Sequence, residues 1–489
     1  MKEKNIKVNA LLNTIKTLFS IIFPLITFPY VSRVLMPENI GKINFGTSFV
    51  SYFSLIASLG ITTYAIRECS AKRKSRNELG KIASQIFSIN ICTTVIAYAS
   101  MFLTLLFCRS FDTYRNLIII QSTTILFTTL GCDWLNTAME DFTFITIRTI
   151  IFQLISIILM FVFVRKPEDY IIYAIITVLS SSGANITNIF YRKKYCNVKF
   201  VTKMNCRKHI KPISLLFVMI LAQTVFNSSD ITMLGLMKGD YEVGLYSSAV
   251  KMSNLISQIV SSLVWVIMPR MSLFFAEENY KQINIMLRKI LNFLITLGFP
   301  CAIGCICLSK EILFIISGES YVGASTALDL LMICYLFGLL GGSFLGNMVL
   351  LPSKRENVYM IICCIATIVN LVLNYFLIPI GGANAAAFTT AVCSLLILIM
   401  LIITKDKRIK IDKLNHILIP PIIGCSLIVL LCSILKFVIL NIYVKTIVCI
   451  LLSSVIYIVS QVIMKNEILT DIVLGFIKKI KQRSNKYRN

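Results

Sequence analysis

The chain has 489 residues, 57% of them hydrophobic and 15% charged, with a mean hydropathy of +0.81. That is more apolar surface than a water-soluble fold of this length can bury, so a soluble enzyme, a disulfide-stapled secreted domain and a disordered chain are all excluded, and an integral membrane protein is implied. The net charge of +25 comes from 48 Lys and Arg against 23 Asp and Glu; these residues sit between apolar runs, so the charge reads as membrane topology and not as a nucleic-acid surface.

In chain order, apolar runs fall near 10–30, 42–64, 82–107, 116–137, 146–164, 170–190, 212–236, 243–266, 288–308, 327–350, 357–379, 384–403, 417–440 and 444–464. At roughly 20 residues per crossing, this predicts an all-α membrane protein of about fourteen transmembrane helices. The first run lacks a small-x-small cleavage site and is followed at once by further spans, so it reads as a retained helix. Basic clusters recur in alternate connectors: Lys72, Arg73, Lys74 and Arg76, then Arg192 to Lys211, then Lys405 to Lys413. The positive-inside rule therefore places both termini in the cytoplasm. Outside connectors stay within about 20 residues, which leaves little platform for an enzyme acting on the outer face, so no catalytic role is expected. Residues 467–489 alternate Ile472, Val473, Phe476 and Ile480 with Lys478, Lys479, Lys481 and Arg483, the pattern of a basic amphipathic helix on the cytoplasmic leaflet.

Neither a metal nor another cofactor is expected. The two His, His209 and His416, lie in basic connectors, most of the sixteen Cys lie inside apolar runs without a paired framework, and no phosphate-binding G-x-x-x-x-G-K-[ST] loop occurs.

Leu35-Met36-Pro37-Glu38-Asn39-Ile40-Gly41 resembles Leu236-Met237-Lys238-Gly239-Asp240-Tyr241-Glu242-Val243-Gly244 with a two-residue insertion. One copy lies between spans 1 and 2, the other between spans 7 and 8, so the repeat unit is six helices, and an even number keeps both copies in one orientation. The predicted domains are an N-lobe over 1–200, a C-lobe over 201–410, two extra helices over 411–466 and the tail over 467–489, with a pathway between lobes related by an axis along the membrane normal.

A helix surrounded by lipid should be apolar all round, so polar stripes at helical spacing must face protein or water. Four spans carry one, and they are the repeat-related pairs: Asn9, Asn13, Lys16 and Thr17 in span 1, Asn44, Ser48, Ser51 and Ser58 in span 2, Gln223, Asn227 and Asp230 in span 7, and Lys251, Asn254, Gln258 and Ser261 in span 8. Each intramembrane charge costs about 2.5 to 3.5 kcal/mol at a helix centre on insertion scales, so it needs a partner, water or substrate. Lys251, roughly two turns into span 8, reads as facing substrate; Asp230 is either its ion-pair partner or a coupling group. Arg33 and Lys16 either line the same lumen or anchor at headgroups. Asp133, Asn136 and Glu140 read as one face at the inner end of span 4, with Arg148 opening span 5; together they form either a gate or a plain interfacial pair.

Several of these residues resemble the oligosaccharide-lipid flippases of the Wzx type, within the MATE-like MOP transporter superfamily. The resemblance rests on Pro29-Tyr30-Val31-Ser32-Arg33-Val34-Leu35 with Glu38 and Gly41, Arg67-Glu68, Asp133-Trp134 with Glu140, Phe142 and Ile145-Thr146-Ile147-Arg148, Gly244-Leu245-Tyr246 leading to Lys251, and Asn370, Asn374, Ile378-Pro379, Gly382 and Ala385-Ala386-Ala387. Leu135-Asn136 and Met36 depart from its pattern. The resemblance implies two MATE-like lobes in a bacterial inner membrane and transport of an undecaprenyl-diphosphate-linked glycan to the outer leaflet, with membrane lipids, the polysaccharide polymerase and the chain-length machinery as further partners and no nucleic acid. A cation-coupled multidrug exporter is the alternative on the same fold.

Overall fold

The computed structural model describes residues 6–202, 206–410, 414–438 and 441–466, together with 468 and 470. The tail expected to lie on the membrane falls outside the described residues. Those described are almost wholly helical, as hydrocarbon requires, because a helix satisfies its own backbone donors and acceptors. Large apolar side chains are exposed along these helices, including Phe107, Ile380, Ile403 and Phe437, a surface that water would not tolerate. The protein is a multi-pass membrane protein.

Nine stretches among the described residues are long and apolar enough to cross a membrane. Two of these are double. Helix α1 (Ile6–Ser58) is broken at Met36, and Glu356–Thr404 is broken at Gly382, whose φ of 53° and ψ of −132° suit a residue without a side chain. With three further helices, Arg115–Gly131, Cys206–Met237 and Asp240–Ala276, they account for the fourteen runs expected.

Contacts divide the chain into two compact units, Met1–Ser247 and Ser248–Asn489. In the first, α1 packs against α3 (Arg76–Phe107), α4 (Arg115–Gly131), α6 (Phe142–Phe163) and α9 (Cys206–Met237). Two short helices, α2 (Ile61–Ala71) and α5 (Asp133–Ala138), pack together at one end. Helix α7 (Tyr170–Val178) passes through a π-helical turn, Leu179–Gly183, into α8 (Ala184–Tyr191). Connectors alternate between the two ends of this unit. At the basic end, Arg73 meets Glu140 at 2.5 Å and Arg76 donates to the Lys193 carbonyl at 3.0 Å. At the other, Tyr30 donates to the Val164 carbonyl at 2.8 Å and Asn39 to that of Pro167 at 2.9 Å.

At that second end the two copies of the repeat meet. A Cβ on Gly41 would lie 1.8 Å from the Asp240 carbonyl oxygen, and one on Gly244 would lie 2.0 Å from that of Pro37. Pro37 and Asp240 each stand four residues before their own glycine, so each copy's glycine receives the other copy's equivalent residue, as a local two-fold relation demands.

The second unit begins inside α10 (Asp240–Ala276). Here α13 (Ser325–Gly338), continued by a π-helical stretch Leu339–Leu350, packs against α14 (Glu356–Thr404) and α11 (Tyr280–Cys307). The short α12 (Ser309–Ile316) leads into α13. The last two helices, α15 (Leu414–Val438) and α16 (Ile442–Ile463), pack on each other and on α11 and α12. Without a hydrophobic force between helices in lipid, such docking relies on close approach and polar contacts. Gly424 lets the Tyr457 ring come so near that a Cβ there would sit 2.6 Å from it, while Tyr457 donates to the Thr296 carbonyl and Gln461 to that of Pro420, both at 2.7 Å.

Two expectations need correction. The run 116–137 is not one helix: it ends at Gly131, Cys132 takes a left-handed conformation (φ 50°), and α5 restarts beyond it. The stretch after residue 64, read as a connector, is largely the amphipathic helix α2, which buries Tyr64, Ala65 and Cys69 against the apolar cluster around Leu79 and Trp134.

Candidate functional site

The break after α4 builds the most unusual feature of the first unit. Gly131 allows α4 to close on α8, since a Cβ there would lie 2.7 Å from that of Asn185. The left-handed Cys132 then redirects the chain, so that Asp133 and Trp134 begin a helix of new direction instead of extending the old face. Arg148 of α6 is buried and donates to the Asp133 carboxylate, donates to the Ala184 carbonyl at 3.2 Å and stacks over the Phe144 ring at 5.3 Å. Asn136 donates to Asn188 of α8 at 2.7 Å, and Asn188 in turn donates to the Gly131 carbonyl.

Beside this network lies a cavity of about 210 Å³ lined by residues of α1, α2, α3, α4, α5 and α8. Ser54, Ser58, Thr62, Thr128, Asp133 and Asn185 supply most of its polar lining, and Trp134 forms part of the wall. Asn90 and Thr93 fasten α3 to α1 next to it, both donating to the Ala57 carbonyl, at 2.8 and 2.6 Å, just before the left-handed pair Leu59 and Gly60. The Trp134 indole N–H is buried and has no protein partner among the described residues. A second cavity, of about 450 Å³, opens at the basic end between α3 and residues 197–201; Arg76, Lys81 and Lys199 line it with no acidic residue.

The residues singled out from the sequence separate into groups. Asp133 and Arg148 are brought together as an ion pair on the cavity wall. Glu140 does not share their face, a correction that follows from the helix break: it lies beyond the end of α5 in left-handed backbone (φ 54°) and pairs with Arg73. Asp230 is buried and accepts the Tyr246 hydroxyl at 2.5 Å. The stripes of α1 and α9 partly satisfy each other: Ser48 donates to the Ser228 carbonyl at 2.8 Å, and Tyr52 lies 3.1 Å from Thr232. Asn44 is partly buried, Asn227 exposed, Lys16 partly buried and Arg33 exposed three residues before the Met36 break, while the Asn13 side chain is outside the described set. In the second unit Lys251 is partly buried on α10, with Asn254 and Gln258 exposed on the same helix. Trp134, Asn185 and Asn188 were not picked as site residues. The last two sit at i, i+3 in a run that also carries Ser180, Ser181, Ser182 and Thr187, the same spacing signal that marked the other stripes.

Outside the spans, Asp240 accepts the Tyr114 hydroxyl at 2.7 Å. Burial pushes its carboxyl above the ordinary aspartate value, against the pull of that hydrogen bond and of Lys42.

Residues 6–275, just over half of the chain, match the polysaccharide biosynthesis protein family. The chain belongs to that family. A second family, MatE, matches residues 216–376. A protein of Shigella dysenteriae described as "Putative O-antigen transporter" is 22% identical over 385 residues, covering 78% of this chain and 95% of that one. The fold is that of a MATE-like transporter. It matches a solved structure of the lipid II flippase MurJ in an inward closed conformation with a TM-score of 0.72 and 14% identity, over 94% of this chain and 99% of that one. An inward-facing multidrug resistance MATE family transporter of the MOP superfamily matches with a TM-score of 0.63 and 15% identity, over 80% and 96% of the two chains. The resemblance to Wzx-type members of this superfamily, read from the sequence, agrees with the family match.

Proposed function

We propose that the protein is a flippase that moves an undecaprenyl-diphosphate-linked oligosaccharide repeat unit from the cytoplasmic to the outer leaflet of a bacterial inner membrane for surface polysaccharide assembly. The observation that carries this reading is the hydroxyl- and amide-lined cavity with its ion pair, set inside a bundle whose outer surface is apolar. Neither a glycan nor a diphosphate crosses hydrocarbon unaided, because its polar groups would lose their hydrogen bonds to water. A membrane protein that keeps unspent polar groups inside supplies replacements. Membership of the polysaccharide biosynthesis family and a relative described as an O-antigen transporter support the cargo class; the MurJ-like fold supports the architecture.

In this reading Lys251, Arg33 and Lys16 offer positive charge to the diphosphate, through charge-assisted hydrogen bonds about twice as strong as neutral ones. The prenyl tail stays in lipid. Residues 1–200 and 201–410 act as two lobes in alternating access, α15 and α16 stand apart from the repeat, and both termini are cytoplasmic, so the basic cavity near Arg76 faces the side from which cargo loads. Polysaccharide polymerase and chain-length machinery consume the product on the far side.

The test is a reconstituted vesicle carrying fluorescent undecaprenyl-diphosphate-N-acetylglucosamine, with the outer-leaflet fraction followed by a membrane-impermeant quencher. Protein-dependent exchange between leaflets is expected, lowered more than tenfold in Lys251→Ala than in Lys251→Arg at matched protein content. No exchange, together with efflux of cationic dyes from the same vesicles, would replace the flippase by a multidrug exporter.

A further inference from the structure

We propose that the cavity of about 210 Å³ in the first unit is a sugar subsite that accepts one pyranose ring of the translocated glycan, with Ser58, Thr62, Thr128 and Asn185 as polar partners. The inference rests on the flippase reading for which glycan arrives there, and it adds where and by what chemistry the glycan is recognised.

Two observations point to a neutral polyol and away from phosphate. First, the polar lining is dominated by hydroxyls and amides, groups that donate and accept at once and so match a ring carrying hydroxyls of the same dual character. Second, the one charged residue among the described lining, Asp133, is paired with Arg148, so among the described residues the cavity presents no uncompensated cation to an anion. The basic cavity near Arg76 has the opposite chemistry, with three cations and no acid among its described lining, so the two differ in kind as well as place. The wall also includes the Trp134 ring, an apolar surface of the kind that complements the C–H face of a pyranose.

Size and access agree. A cavity of about 210 Å³ holds several waters and has room for a single ring. Of the lining residues, Thr62 and Thr128 are exposed and Trp134 is buried, so the cavity is reached from outside the bundle. Asp133 at the rim accepts hydrogen bonds only, giving the ring a polarity of orientation.

The chain has two tryptophans, Trp134 and Trp265. In full-length Trp265→Phe protein, Trp134 emission alone reports the cavity. Titration with methyl glycosides of N-acetylglucosamine, galactose and rhamnose is expected to give a saturable emission change with at least one of them and none with inorganic pyrophosphate. The Ser58→Ala/Thr62→Val pair should weaken that binding about threefold to tenfold, the worth of one ordinary hydrogen bond. In vesicles the same pair should slow the sugar-bearing carrier at least threefold more than sugar-free undecaprenyl diphosphate. A flat titration with all three glycosides, a response to pyrophosphate alone, or equal slowing of both carriers would overturn the subsite. If sugars bind but wild-type protein moves neither carrier, the flippase reading fails and the subsite stands; if carriers move and sugars do not bind, the subsite fails alone.

Discussion

Two regions, one in each compact unit, put buried polar side chains to different uses. Around α14 and the end of α16 in the second unit they consume one another: Asn374 donates to Asn370 at 3.1 Å and accepts from Thr389, and Asn466 lies within 3.4 Å of acceptors on Asn292, Thr296 and Gln461. These contacts tie α14 across its Gly382 break and fasten α16 to α11. In the first unit, the Asp133–Arg148 pair and the hydroxyls around it border open space instead. A polar residue in a membrane helix is therefore ambiguous by type alone. What separates glue from lining is whether its partners are already protein.

The largest effect that would break this contrast is expected at Arg148. Its side chain is 6% exposed but that of Asp133 is 38%, so Arg148→Ala leaves a carboxylate that solvent partly reaches, and up to about 3 kcal/mol of stability should be lost. Thermal unfolding in detergent measures it, and Asp133→Asn/Arg148→Gln should recover most of the loss. A single variant as stable as wild type would mean the pair is already solvated and the cavity wall is not a buried polar site. Next in size is Asn374→Leu, which strips Asn370 and Thr389 of a shared partner and should cost about 1–3 kcal/mol. There the folded fraction should still translocate at the wild-type rate, because the residue is glue. A transport defect without a stability defect would erase the difference between the units.

How much of this was legible beforehand follows the same line. The helices were readable because apolar length is dictated by the bilayer, and the glycine-centred repeat was readable as a pattern, although only the structure brings Gly41 to Asp240 and Gly244 to Pro37. The break at Cys132 was not. Nothing local marks a left-handed cysteine, and it is held there by Gly131 packing on Asn185 and by Asn188 capturing the Gly131 carbonyl, contacts between segments some 50 residues apart. One continuous helix would place Asp133, Asn136 and Glu140 on a shared face beside Arg148, whereas the break leaves Arg148 paired with Asp133 and turns Glu140 to Arg73. Arg73 comes from the connector before α3, which had been read only as a topology signal. Trp134 was noticed for its resemblance, not for its unmet donor, because hydrogen-bond satisfaction is a property of three-dimensional neighbours.

A smaller effect sharpens the boundary of the site. Arg73 and Glu140 form a pair whose side chains are each 42% exposed, and exposed pairs contribute about 0–1 kcal/mol. Arg73→Ala should therefore shift stability by less than a third of the Arg148→Ala loss, measured in the same scan. A comparable loss would move Glu140 back into the buried network.

The smallest effect concerns Asp240, at the end of the first unit where the repeat copies meet. Burial raises its carboxyl above the ordinary value of 3.8, with Tyr114 and Lys42 pulling the other way and Glu38 adding to the rise. An acid whose pKa is higher folded than unfolded binds more protons in the folded state. Stability then falls as pH rises between the two values and stays at its lower level above them. Asp240→Asn removes the titration yet keeps an oxygen to accept the Tyr114 hydroxyl, so it should melt above wild type at pH 7, with the gap closing as pH falls below the unfolded value. One force opposes this: Asp240 opens α10, and a negative charge at a helix start is stabilised by about 0.3–1 kcal/mol. The sign of the gap at pH 7 decides between them. A variant that melts lower, with the difference vanishing in acid, would show that the helix dipole outweighs burial and that this end is wetter than its reciprocal glycine contacts imply.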